Sequence, residues 1–97
     1  VAVELNHTIV AARDADESSR FLADVLGLDP PVRMWSFHVV EASNGVSLDY
    51  QQTDEDITPQ HYAFLVSEDE FDAIFARIQE RDLPYWADPG RRQPGEI

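Results

Sequence analysis

Apolar residues dominate both alternating sets between Val3 and Ala12, with Asn6, His7 and Thr8 as polar interruptions, which predicts a buried strand. Asp14 stands three residues before Glu17, a cap and N3 acid for a helix start. Phe21, Leu22, Val25 and Leu26 then form one apolar stripe, Gly27 supplies a left-handed stop, and Pro30-Pro31 forbid continuation. The result is a short amphipathic helix expected to pack on a flat surface.

Two further strand-like runs, Arg33 to Ala42 and Val46 to Gln52, flank Ser43-Asn44-Gly45. Asn-Gly between alternating runs signals a hairpin, because both positions of a type I′ turn need positive φ. With Asn44-Gly45 as a two-residue loop, Ser43 pairs with Val46, His38 with Gln51, and Val40 with Asp49. Cross-strand partners share a face. One face then carries His38, Val40, Ser47, Asp49 and Gln51; the other carries Phe37, Val39, Glu41, Leu48 and Tyr50. The apolar face should meet the helix, and the polar one should look into water or a cleft. A three-residue loop would move this register by one.

Thr53 to Gln60 is acidic, contains Pro59, and reads as a linker. His61 to Ser67 predicts another apolar strand. Ser67 with Glu70 makes a capping box, and Phe71, Ile74, Phe75 and Ile78 keep helical spacing to an end near Asp82. Leu83 to Ala87 is expected to form a further short strand. Asp88 to Ile97 is a Pro/Gly/Arg loop.

Charge narrows the partners. The 97 residues hold 19 Asp+Glu against 7 Lys+Arg, a net charge of −12, and every cation is Arg. Binding phosphate backbones or anionic lipid needs clustered cations, so neither nucleic acid nor membrane is expected as a partner. Many of the acids have local reasons: Asp54, Glu55 and Asp56 solvate the linker, while Glu68, Asp69 and Glu70 suit a helix N-terminus. An apolar fraction of 43% argues against disorder. No apolar run reaches the ~18 residues of a membrane span, no basic-then-apolar leader precedes the first strand, and the lack of cysteine suits the cytoplasm.

The chain also repeats itself. Sliding it so that His7 falls on His61 lays Phe21 on Phe75, Pro30 on Pro84, and Asp14 and Asp16 on Glu68 and Glu70. Each copy runs strand with His, capped helix, Pro-containing exit, strand. The first copy continues for two more strands, whereas the second reaches Ile97 before supplying them. By this logic the chain is a truncation, short of a β-hairpin of about 20–30 residues.

The stretch LNHTIVAARDADESSRFLADVLGL resembles the opening of the vicinal oxygen chelate superfamily, which includes glyoxalases, extradiol dioxygenases and bleomycin-resistance proteins. QHYAFLVSEDEFDAIFARIQERDLPY resembles the start of that family's second module. The resemblance implies an α+β fold of paired βαβββ modules whose sheets curl around a cavity. One glyoxalase-like domain over 1–97 would then hold a first module at 1–53 and an incomplete second at 61–97, lacking its last two strands. It also implies a homodimer acting on a small molecule in the cytoplasm.

Metal-dependent members place a His on the first strand of each module, here His7 and His61, and a carboxylate on the last strand of module one, here Asp49. Two imidazoles and a carboxylate suit a divalent ion such as Fe, Ni, Mn or Zn, whose adjacent open positions chelate neighbouring substrate oxygens. Asp49 is expected as a ligand or as the catalytic base. The family's final Glu ligand would lie beyond Ile97. His38 and Gln51, sharing the inferred face with Asp49, are candidate substrate contacts, although His38 also fits an ordinary half-exposed strand position. Trp35, Phe37, Tyr62, Phe64, Tyr85 and Trp86 serve either the core or an aromatic cleft. Arg91 and Arg92 serve either a solvated loop or the mouth of the cavity, where they would meet an anionic substrate. The resemblance thus implies a metal-dependent lyase, isomerase or dioxygenase, with a metal-free ligand-sequestering protein as the alternative.

Overall fold

A computed structural model describes residues 1–97 and divides them into two units, Val1–Thr58 and Pro59–Ile97. In the first unit, β1 (His7–Ala12), β2 (Val32–Met34), β3 (Phe37–Glu41) and β4 (Ser47–Gln52) form one open mixed sheet in the order β1-β4-β3-β2. β1 runs parallel to β4, and the other neighbours are antiparallel. With α1 (Ala15–Leu26) between β1 and β2, the unit is βαβββ and the class is α+β, as expected.

α1 begins where Asp14 accepts a hydrogen bond from Glu17 N at 3.0 Å. It ends at Gly27, whose φ of 72° lets Leu28 N reach Ala23 O at 2.8 Å. The stripe facing the sheet differs from the expected one. Ala15, Ser19 and Ala23, four residues apart, are the residues driven to near-zero exposure, whereas Phe21 stays exposed. Small side chains let the helix backbone lie close to β3 and β4, so large residues are displaced to the flanks. Ala12, Val40, Leu48 and Tyr50 complete the core, with Val10, Leu22 and Leu28 packed against it.

The β3–β4 hairpin corrects the expected register. Ala42 N donates to Val46 O at 2.8 Å and Gly45 N to Ala42 O at 2.9 Å, so the loop is Ser43-Asn44-Gly45. Only Gly45 takes a positive φ, of 87°, which is the three-residue pattern rather than the type I′ turn. His38 therefore pairs with Tyr50, Val39 with Asp49, and Val40 with Leu48. A one-residue slip moves every β3 side chain to the other face. The expected faces hold for β4 and are exchanged for β3: Val40, 1% exposed, lies under the helix, and Val39 does not.

The run from Arg33 to Ala42 is also not one strand. Met34 pairs with Phe37, and the chain reverses through Trp35 and Ser36 with Trp35 at φ 53°. A left-handed Trp is uncommon, and no Gly or Asn marks the turn. Gln52 closes the other end of the sheet. Its Oε1 accepts from Ala15 N at 2.7 Å, and its Nε2 donates to Arg13 O.

In the second unit, α2 (Glu68–Glu80) starts where Ser67 Oγ accepts from Glu70 N at 3.2 Å. It ends at Glu80 with Arg81 as its cap, near Asp82 as expected. Phe71, Phe75 and Tyr85 form an aromatic file, with centroids 6.0 Å and then 5.1 Å apart. Residues 61–67 are not a strand, and 83–87 contribute only a single bridge, Trp86 with Pro94. A strand requires a hydrogen-bonded neighbour, and no strand of this unit lies beside either segment.

Candidate functional site

Which β4 side chains face away from α1 follows from the register. His7 pairs with Ser47, Ile9 with Asp49, and Ala11 with Gln51. Partners share a face, so the face opposite the helix carries a polar file of His7, Ser47, Asp49 and Gln51. Around it stand Ile9, Val39, Phe37, Val32 and Met34, of which Ile9, Val32 and Met34 are more than half exposed. Polar groups set in an apolar surround suit a small molecule with oxygens at one end.

Two neighbours orient the chemical groups. The Nδ1 of His7 lies 2.6 Å from Asn6 Oδ1. An amide oxygen can only accept, so Nδ1 donates, and Nε2 takes no part in this bond. Ser47 Oγ donates to Asp49 Oδ1 at 2.9 Å, leaving Oδ2 of the half-buried carboxylate for another donor. The sequence placed Ser47 on the face of Asp49 and marked Asn6 as a polar interruption of the first strand, but gave neither a role at the site.

His38 is not on this face, contrary to expectation. It lies on the helix side, with Nδ1 3.7 Å from Asp16 Oδ1 on α1. The cause is the three-residue loop, which turned β3 over relative to β4. Asp16 also accepts from Arg20 Nε at 2.8 Å. That hydrogen bond, aided by the charges of Arg20, His38 and Arg33 and opposed by slight desolvation, holds its carboxyl below the usual Asp range. Gln51 stands on the open face with Asp49, as expected.

His61 belongs to the second unit, where it lines a cleft with Trp86, Ala87, Asp88, Pro89 and Arg91. A second cleft, in the first unit, runs from Gly27–Pro30 to Val32, Met34, Val39 and Glu41, and includes neither His7 nor Asp49. No group of three or more His, Asp or Glu side chains stands where it could hold a metal ion. His7 and Asp49 are suitable donors in kind, two on one sheet face without a third beside them in the first unit. No helix is long and apolar enough to cross a membrane.

A βαβββ unit with one face covered by its helix and a polar file on the other defines a glyoxalase-like module. The chain belongs to the Glyoxalase/Bleomycin resistance protein/Dioxygenase superfamily, whose family model matches residues 4–97. It is similar to the solved structure of Oxidase ChaP-H1, with 60% identity and a TM-score of 0.96 over 99% of this chain and 77% of that one. Oxidase ChaP-H2 is similar at 62% identity and a TM-score of 0.96, over 100% of this chain and 76% of that one. Glutathione transferase FosA of Serratia marcescens is 29% identical over 89 residues, 84% of this chain. The chain spans 62% of the length of that curated relative.

Proposed function

We propose that the chain is part of a small-molecule enzyme of the oxidase or dioxygenase type, and that the open face of the first sheet is its substrate face. The observation that carries this reading is the polar file His7-Ser47-Asp49-Gln51, with Asn6 and Ser47 orienting its two titratable members. Identity of 60% or more to two proteins named oxidases supports oxidation over lyase or isomerase chemistry.

Each residue has a role in this reading. Asp49, held at Oδ1 by Ser47, accepts a proton at Oδ2 from a substrate hydroxyl, acting as general base. Gln51 offers an amide to a substrate oxygen, and Ile9 and Val39 flank Asp49 with apolar surface. His7, through Nε2, would be a donor to a divalent ion in the first unit, where Asp49 would be either ligand or base, and His61 would be a donor within its own unit. A bound divalent ion would supply adjacent positions for two substrate oxygens and stabilise negative charge on them. His38, on the helix side, takes no part. A cytoplasmic homodimer belongs to the same reading, as the resemblance implies.

Metal analysis of the purified protein tests it. Stoichiometric Fe, Ni, Mn or Zn is expected, and it should disappear in the His7→Ala, His61→Ala double variant. Asn6→Ala, which frees the His7 ring, should weaken metal binding by about 10-fold or more. Protein that holds no divalent metal and takes none up on incubation would leave the metal-free sequestering reading instead.

A further inference from the structure

The loop between β3 and β4 carries a chemical group that neither face of the sheet uses. It places Asn44 directly before Gly45, and the only other asparagine of the chain is Asn6. Ser43, Asn44 and Gly45 are all exposed. An asparagine side chain can be attacked at its carbonyl carbon by the backbone nitrogen of the next residue, closing a five-membered ring. A side chain on that next residue crowds the approach, and glycine has none. At Gly45 nothing stands within 4 Å of where a Cβ would lie, so the ring has room to close. Asn6 is followed by His7, whose Cβ crowds the same path.

Two hydrogen bonds of the loop act in opposite directions. Val46 N donates to Asn44 Oδ1 at 3.4 Å, which directs the side-chain amide forward along the chain. The same N–H faces the oxygen that turns negative when its carbon is attacked. Gly45 N donates to Ala42 O at 2.9 Å, and this bond must open before the nitrogen can attack. Opening one exposed backbone hydrogen bond slows a reaction by about tenfold or less. That retardation is small beside the freedom that glycine gives the approach.

We propose that Asn44 is a site of spontaneous modification, passing through a cyclic imide to aspartate and isoaspartate and so altering the loop that sets the β3–β4 register. Gly45 N gives its proton to solvent base and bonds to Asn44 Cγ, the Cγ–Nδ2 bond breaks, and ammonia leaves. Water then opens the imide at either carbonyl. Opening at the former side-chain carbonyl yields aspartate; opening at the main-chain carbonyl yields isoaspartate. The net change is one water in and one ammonia out, with no oxidation. Each event adds one negative charge to the −12 of the chain. Isoaspartate also adds one carbon to the main chain, between the Ala42 N bond to Val46 O at 2.8 Å and the Gly45 N bond to Ala42 O. β4 begins just beyond, at Ser47, whose hydroxyl holds Asp49. The modification itself does not depend on the activity proposed for that face.

Prolonged incubation of the purified protein at mildly alkaline pH, followed by tryptic mass mapping and isoaspartyl methylation, tests the proposal. The peptide Met34–Arg77 should gain about one dalton, mostly as isoaspartate, at least about tenfold faster than Val1–Arg13, which carries Asn6. The rate should rise with pH, because the attacking nitrogen must lose its proton. Folded protein should react within about tenfold of the urea-unfolded chain. Asn44→Gln, which would have to form a larger ring, should abolish the gain. Asn44→Asp adds the charge without the extra carbon, and so separates the two effects. Amide exchange at Ala42 should quicken at least about threefold in the isoaspartyl form and stay within about twofold in Asn44→Asp. Equal rates at Asn44 and Asn6, a gain that persists in Asn44→Gln, or a folded rate more than about tenfold below the unfolded one would overturn the site. Unchanged Ala42 exchange in the isoaspartyl form would overturn its effect on the loop.

Discussion

α1 and α2 start the same way and end in different surroundings. Asp14 and Ser67 each accept a hydrogen bond from the amide three residues on, at 3.0 and 3.2 Å. Both helices then run on spaced apolar residues. Yet α1 places Ala15, Ser19 and Ala23 at no more than 2% exposure, while no residue of α2 is buried. The difference lies in what stands beside each helix in its own unit: β3 and β4 for α1, and an aromatic file ending at Tyr85 for α2. Caps and periodicity specify that a helix forms. A sheet specifies which of its faces becomes a core, and that face is the one with small side chains.

The largest expected effect breaks this contrast directly. Ser19→Leu adds two side-chain heavy atoms where Ser19 has no exposed surface, and should cost about 3 kcal/mol in urea unfolding. Phe71→Ala, at a residue 43% exposed on α2, should cost less than about 1 kcal/mol. A neutral Ser19→Leu would mean that α1 is not held by close approach to the sheet, and the two helices would then differ less than their burial suggests.

The same contrast explains what could be read from the sequence. Asp14, Gly27 and Ser67 act locally, through bonds within four or five residues, so their roles were legible. β1 was legible only in part: its apolar run has β4 to pair with, but the strand begins at His7 rather than Val3 and only Ala12 within it is buried. The similar run at 61–67 has no neighbouring strand in its unit, and apolar character alone does not make a ladder. The hairpin failed at a single point. Asn44-Gly45 suits both a two-residue loop and a three-residue loop, and the choice decided whether His38 or Val39 shared a face with Asp49. Trp35 turned the chain with no turn residue to announce it. For the site, Asp49 and Gln51 kept their face because β4 pairs directly with β1, and Ser47 shares it by the same spacing, whereas the Asn6 bond to His7 is one that spacing does not encode.

A smaller effect should appear at the sheet end of α1. Gln52 joins Arg13 O and Ala15 N across the junction of β1 and α1, so Gln52→Ala leaves two backbone groups to find water. The expected cost is about 1–2 kcal/mol, with faster hydrogen exchange at the Ala15 amide. Unchanged exchange there would show that the helix start depends on Asp14 alone, as a helix without a sheet would.

The smallest expected effect is a titration that reports docking of α1 on β3. The Asp16 carboxyl is held below the ordinary range first by its hydrogen bond from Arg20, then by the charges of Arg20, His38 and Arg33. A carboxyl with a depressed folded pKa contributes stability above its unfolded value, about 3.9, and that contribution is lost as pH falls through the lower folded value. Carboxyl NMR should therefore place the Asp16 midpoint below that of an unstructured Asp. Arg20→Gln should raise it most, because it removes the hydrogen bond and a charge together. His38→Gln should raise it less, and only if α1 stays against β3, since His38 is 3.7 Å away across that contact. The Asp16 side chain is more than half exposed, so the effect on unfolding should be small even where the midpoint moves. A His38→Gln variant with an unmoved Asp16 midpoint would mean that Arg20, on the same helix, accounts for the shift. The titration would then report helix geometry, which α2 shares, and not the docking that sets α1 apart.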